Sequence, residues 1–135
     1  MKLLLITGGS RGLGHAIYEQ FETRDYEILE FSRSAPHEYS IRMDLADPEM
    51  SRLILANAIE LIDSSQLQEL IVISNAGTLE PIGPTSNKPY SDLIKNMNTN
   101  YVSPVLALRE IIARFQAATC RKAIMNITSG AALKG

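Results

Sequence analysis

Two hydrophobic rhythms alternate along this chain. Stretches of strand length cover residues 2–6, 26–31, 39–43, 70–73 and 122–127, of which 2–6 is a short apolar run ending in glycines and 70–73 is apolar throughout. They read as buried strands, because a strand covered on both faces loses the polar alternation of a half-exposed one. Between these runs the apolar positions fall at helical spacing. Leu13, Ala16, Ile17 and Phe21 predict a helix over 13–21. Asp47-Pro48-Glu49 is a helix start, with a capping carboxylate, a proline in the first turn and an acidic residue behind it. That helix is expected to reach about residue 64, with Leu53, Ile54, Ala56, Ala58, Leu61 and Ile62 as its apolar side. A long helix is expected over 90–115, with Pro104 bending or breaking it. The link 32–38 contains Pro36 and is too short for a long helix, so a turn is expected there. Strand–helix–strand alternation with apolar strands predicts an α/β fold: a doubly wound parallel sheet with helices on both faces, truncated after its fifth strand.

Composition narrows the classes. The 135 residues are 45% hydrophobic and 21% charged, which is globular and long enough for a real core. A net charge of −2 provides no broad positive field for nucleic acid. No apolar run approaches the ~20 residues of a membrane span, and the opening apolar stretch is broken by Gly8-Gly9-Ser10-Arg11, so a secretory leader is not expected. The single cysteine, Cys120, excludes an internal disulfide framework and fits a reduced, cytoplasmic setting. His15 and His37 have no ligand-spaced partners, so no metal is expected. The chain reads as one domain over 1–135.

The strongest local signal is Thr7-Gly8-Gly9-Ser10-Arg11-Gly12-Leu13-Gly14. It closes a strand and opens a helix, where backbone amides and the helix dipole favour an anion. In such a loop Gly8 permits the tight turn, Gly12 admits a pyrophosphate to the backbone, and Gly14 lets helix and strand approach. The spacing Gly-x-x-x-Gly-x-Gly differs from the common dinucleotide fingerprint, and it lacks the Gly-Lys-Ser/Thr ending of a nucleoside-triphosphate loop.

Thr-Gly-x-x-x-Gly-x-Gly near a chain start resembles the short-chain dehydrogenase/reductase family, and four further segments agree in order. Asp44-Leu45 matches the family's adenine-contacting aspartate. Asn75-Ala76-Gly77 matches its Asn-Ala-Gly element. Asn100 falls at its catalytic asparagine and Ser129 at its catalytic serine. The resemblance implies a Rossmann-like fold and an oxidoreductase that binds a nicotinamide dinucleotide through residues 8–14, including Ser10, Arg11 and Leu13. It also implies a small-molecule carbonyl or alcohol substrate, and a homo-oligomer to which the long helix contributes.

The choice of cofactor turns on the end of the second strand. An acidic residue there holds the ribose 2′-hydroxyl of NAD; a basic one accommodates the 2′-phosphate of NADP. The family resemblance puts Ser32 in the acidic slot with Arg33 beside it, and Arg11 is expected to project toward the same region, so NADP is preferred over NAD. Glu30 is the counterargument, although strand alternation points it with Ser32 rather than with Arg33. The resemblance assigns Ser129 to the carbonyl oxygen and Asn100 to a proton relay within a locally distorted helix. The family's proton donor, a tyrosine followed four residues later by a lysine, does not occur in residues 1–135. Two readings stay open: the cofactor-binding half of an NADP(H)-dependent oxidoreductase, or a non-catalytic NADP(H)-binding or regulatory module.

Overall fold

Leu3, Leu4, Leu5 and Ile6 are each 2% exposed or less, the environment of a strand at the middle of a sheet. They form β1 (Lys2–Thr7), which pairs in parallel with β2 (Glu27–Ser32) on one side and β4 (Glu69–Ser74) on the other. Leu4 stands opposite Ile28 in one neighbour and Ile71 in the other. β3 (Ser40–Arg42) extends the sheet beyond β2, and β5 (Arg121–Asn126) extends it beyond β4. The resulting order, β3-β2-β1-β4-β5, is that of a doubly wound, Rossmann-like α/β fold.

The computed structural model describes residues 1–130 and 133, in two compact units. The first comprises residues 1–42, 66–75 and the chain from 119 onward, and so contains the sheet together with α1 (Gly12–Glu22). Leu4, Ile6, Tyr18, Ile28 and Ile73 make its buried cluster, flanked by Ile17, Phe21, Tyr26, Ile71 and Ile127. Each aliphatic side chain so enclosed contributes about 1.5–3 kcal/mol. At the opposite end of the strands, Glu69 accepts the Tyr26 hydroxyl at 2.6 Å and Arg121 Nε at 2.7 Å. The Tyr26 hydrogen bond and the Arg121 guanidinium hold the Glu69 carboxyl below the usual carboxylate range. The same hydrogen bond raises the Tyr26 phenol. β5 is the outermost strand and all six of its residues are exposed.

The second unit comprises residues 43–65 and 76–118. Its α2 (Pro48–Glu60) begins as the sequence predicts, with Asp47 Oδ1 accepting the Met50 N–H at 3.1 Å. It stops at Glu60, and a separate 3₁₀ turn spans Ser64–Gln66. The buried stripe is Ser51, Leu55 and Ile59, whereas Leu53 is 41% and Leu61 89% exposed, so the predicted apolar face was out of phase. The cause is Ser51: its hydroxyl donates to the Asp44 carbonyl at 2.7 Å, which makes a polar position an inward one.

The predicted long helix is α3 (Tyr90–Met97), a π-helical turn (Asn98–Val102) and α4 (Ser103–Phe115). The interruption is the π turn, and Pro104 follows directly after it in the first turn of α4. Ser103, Ala107, Ile111 and Phe115 form its buried stripe. α2 and α4 are linked by Arg52, which meets Glu49 at 2.6 Å and Glu110 at 3.5 Å.

Candidate functional site

In an open α/β sheet, ligands bind beyond the carboxyl ends of the strands where the strand order reverses. Here that point lies between β1 and β4, and the glycine loop after β1 and Asn75 after β4 both belong to the first unit. Gly8, at φ 71°, turns the chain out of β1 while its N–H still donates to Phe31 O at 2.8 Å. Asn75, just past β4, clasps the turn. Its N–H donates to Thr7 Oγ1 at 3.1 Å and its Nδ2 to Gly8 O at 3.0 Å. A Cβ on Gly14 would stand 2.0 Å from that same carbonyl oxygen and 2.5 Å from Asn75 Nδ2. Gly14 is therefore the point at which α1 and the β1 turn touch.

Gly12 is different. Its φ of 57° lies in the left-handed region, yet a Cβ there would have nothing within 4 Å. The space above the loop is open, bounded by the first amides of α1. The cap position is Arg11, whose extended backbone leads into the helix and whose side chain accepts no hydrogen bond from it; the first turn holds no acidic residue. Neither the cap residue nor an acidic side chain of the first turn satisfies the positive end of this helix. These features fit a diphosphate: open space at Gly12, amides aimed into it and a favourable dipole. Ser10 is half-buried, while Arg11 and Leu13 are exposed along the loop.

The end of β2 carries the second element. Ser32 is buried and its hydroxyl donates to Glu30 Oε2 at 3.1 Å, so Glu30 and Ser32 do share a face. Arg33 follows and is exposed, as Arg11 is. Glu30 itself is 0% exposed and accepts the Gly9 N–H at 2.9 Å. Neither the hydrophobic pattern nor the glycine spacing marks Glu30 as part of the loop. The available signal was a charged residue at an inward position of an otherwise apolar strand. His37 was also passed over. Its ring stacks on Tyr18 at 3.8 Å, and its Nε2 lies 3.1 Å from Gly9 O. Burial, together with the nearby Glu22 and Glu30 carboxyls, pushes the Tyr18 phenol up. Ser129 lies on the exposed segment after β5, two residues beyond Ile127, whose N–H donates to Ser74 O at 2.9 Å.

The remaining candidates belong to the second unit. Asp44 is exposed, and its Oδ1 accepts the Ala46 N–H at 3.0 Å, closing a tight turn. Leu45 is buried and its carbonyl accepts the Ser103 hydroxyl at 2.6 Å. Asn100 sits in the π turn, with Oδ1 accepting the Thr78 N–H and Nδ2 donating to the Thr78 carbonyl, both at 2.8 Å. A Cβ on Gly77 would reach 3.3 Å from Asn100 Oδ1, so the segment Ala76-Gly77-Thr78 and the π turn are fitted to each other. π turns are rare and concentrate at functional sites. Among the described residues no group of His, Cys, Asp or Glu could hold a metal, and no helix is long and apolar enough to cross a membrane.

Comparison with known proteins agrees with this geometry. A benzil reductase ((S)-benzoin forming) of Bacillus subtilis (strain 168) is 31% identical over 137 residues, covering 98% of this chain and 56% of the relative. A benzil reductase of Bacillus cereus is 25% identical, covering 97% and 57% respectively. This chain therefore spans little more than half the length of these curated relatives. Among solved structures, ElxO with NADP bound superposes with a TM-score of 0.78 at 26% identity, over 99% of this chain and 58% of that one. A short-chain dehydrogenase/reductase from Burkholderia vietnamiensis gives a TM-score of 0.82 at 23% identity, covering 98% and 68%, and shares the fold. The family of short chain dehydrogenases matches residues 2–135. A strand order of 3-2-1-4-5, a glycine loop clasped by Asn75 and a π turn centred on Asn100 thus meet in one sequence, and the chain belongs to the short chain dehydrogenase family.

Proposed function

We propose that the chain is the cofactor-binding portion of an NADP(H)-dependent oxidoreductase that interconverts a small-molecule carbonyl and its alcohol. The observation that carries the reading is the uncapped, open helix N-terminus at Gly12, followed at the next strand end by Ser32-Arg33 rather than by an exposed acid. Arg33 and Arg11 supply planar, multiply donating cations suited to a ribose phosphate. The loop amides of 8–14 take the diphosphate and Asn75 keeps that loop shaped; the family pattern assigns Asp44, Leu45, Ala76 and Gly77 to the same cofactor. The likeness to ElxO with NADP bound supports this choice of cofactor.

The dinucleotide supplies the hydride donor or acceptor. Ser129 donates a hydrogen bond to the substrate oxygen, and Asn100, held by Thr78, orients the proton relay. The proton donor itself lies outside residues 1–135, which contain no Tyr-x-x-x-Lys. Coverage of just over half of the benzil reductases supports that division, and their reduction of benzil favours a ketone as substrate. The protein is expected to be cytoplasmic and to self-associate.

Fluorescence titration tests the proposal. NADPH is expected to bind saturably and NADH more weakly; binding of neither would end it. Arg33→Asp is expected to weaken NADPH at least tenfold, since it replaces a cation beside a phosphate by an anion. An unchanged preference would show that Arg33 does not read the phosphate.

A further inference from the structure

The loop that follows β1 and the loop that follows β2 are tied to a single buried carboxyl. Glu30 Oε1 accepts the Gly9 N–H at 2.9 Å, while Oε2 accepts the Ser40 hydroxyl at 2.6 Å and the Ser32 hydroxyl at 3.1 Å. The two serines pass the connection on. Ser32 Oγ accepts the Ala35 N–H at 3.1 Å, and Ser40 Oγ accepts the His37 N–H at 3.0 Å. His37 returns to the glycine loop through the contact of its Nε2 with Gly9 O. Gly9 is thus held on both sides of its backbone. A Cβ on it would fall 2.6 Å from Glu30 Cγ, so the two residues are fitted to one another.

The segment pinned at Ala35 and His37 is the one from which Arg33 emerges. Enclosing a carboxyl inside a sheet is unfavourable unless several donors converge on it, and an apolar side chain would fill the same space without that cost. What the carboxyl adds is geometry, because one group fixes the glycine loop and the β2–β3 segment in a common frame. Ser32 donates its proton inward to Glu30, so the hydroxyl shapes the segment and a ribose phosphate is left to the guanidinium groups.

We propose that Glu30 is a positioning residue for cofactor selection, setting where Arg33 stands relative to the glycine loop so that a dinucleotide carrying a ribose phosphate is preferred. This rests on the NADP(H) reading above. Glu30→Gln preserves volume and the acceptor for Gly9, but replaces the oxygen that receives both serine hydroxyls with a donor. Dissociation constants for NADPH and NADH are measured on wild type, Glu30→Gln, Arg33→Ala and the double variant, with circular dichroism as the check of folding. Glu30→Gln is expected to weaken NADPH about tenfold and NADH about threefold or less. In the Arg33→Ala background the two losses become equal. Equal losses with Arg33 present, or a selective loss that persists without it, overturn the proposal. Should Glu30→Gln fail to fold, Ser40→Ala removes one donor and is expected to lower the NADPH preference about threefold; an unchanged preference overturns it. Wild type that binds neither cofactor refutes the functional reading and this proposal together. NADPH selectivity that survives in folded Glu30→Gln refutes only the role of Glu30.

Discussion

Two glycines separated by a single residue are expected to fail in opposite ways. Gly12→Ala places a methyl group where no protein atom lies within 4 Å, at a φ of 57°. The folded chain pays only for left-handed backbone, about 1–2 kcal/mol. For a chain of this size that lowers the thermal midpoint by roughly 3–10 °C. The same methyl stands in the open space assigned to the diphosphate, where it separates the phosphate oxygens from the amides. Losing two charge-assisted hydrogen bonds, at about 1.5–3 kcal/mol each, weakens NADPH by roughly 100-fold or more. Gly14→Ala drives its methyl into a backbone carbonyl oxygen 2.0 Å away, which neither α1 nor the β1 turn can yield without separating. Its effect is on folding, by about 3 kcal/mol or more, as expected of severe overpacking. Differential scanning fluorimetry without ligand and NADPH titration separate the two effects. A Gly12→Ala protein that loses the expected stability but keeps wild-type affinity for NADPH would show that the diphosphate does not sit there.

Two further outcomes follow from contacts elsewhere. Glu69 has its carboxyl held low, so its contribution to stability is present above the ordinary carboxylate range and is lost as pH falls through the depressed value. The thermal midpoint should drop below about pH 4, and Glu69→Gln should flatten that acid limb; an identical limb in the variant would exclude Glu69 as its source. Tyr26, raised by the same bond, contributes stability that fades only as pH rises through its elevated value. Asn100→Ala removes both contacts with Thr78, each worth about 1 kcal/mol. Amide exchange at Thr78 should accelerate several-fold while the sheet amides of β1 stay protected, and unchanged exchange at Thr78 would contradict the clasp.

The five strands and the glycine loop were legible because each rests on a short-range signal. Residues 2–6 form an apolar run that can lie only inside a sheet, while Gly8 and Gly12 mark left-handed backbone and Gly14 a close approach of helix to turn, all of which follow from sterics. Asp47-Pro48 announced α2 because capping is local. The inward faces of α2 and α4 were less legible. Ser51 and Ser103 are buried because their hydroxyls reach the carbonyls of Asp44 and Leu45, which lie outside their own helices, and a hydropathy pattern treats serine as a surface residue. Glu30 escaped for the same reason. Its three donors come from Gly9, Ser32 and Ser40, and only the β1–β2–β3 register brings them to one point. Long-range hydrogen bonding, rather than hydrophobicity, separates the reading of the sequence from the structure.

The turn Asn98–Val102 adds one residue to what would otherwise be continuous α-helical winding. A π turn closes hydrogen bonds five residues apart where an α turn spans four, so the extra residue is absorbed inside the turn and the helix on either side keeps its phase. Deleting any one of these five positions would let the cylinder close as regular α-helix, leaving the Ser103–Phe115 stripe where it is but removing the widened turn that carries Asn100 to Thr78. A single-codon deletion here would thus erase the Asn100–Thr78 clasp without disturbing the packing of α4, whereas an alanine substitution at exposed Tyr101 would leave the wide turn intact.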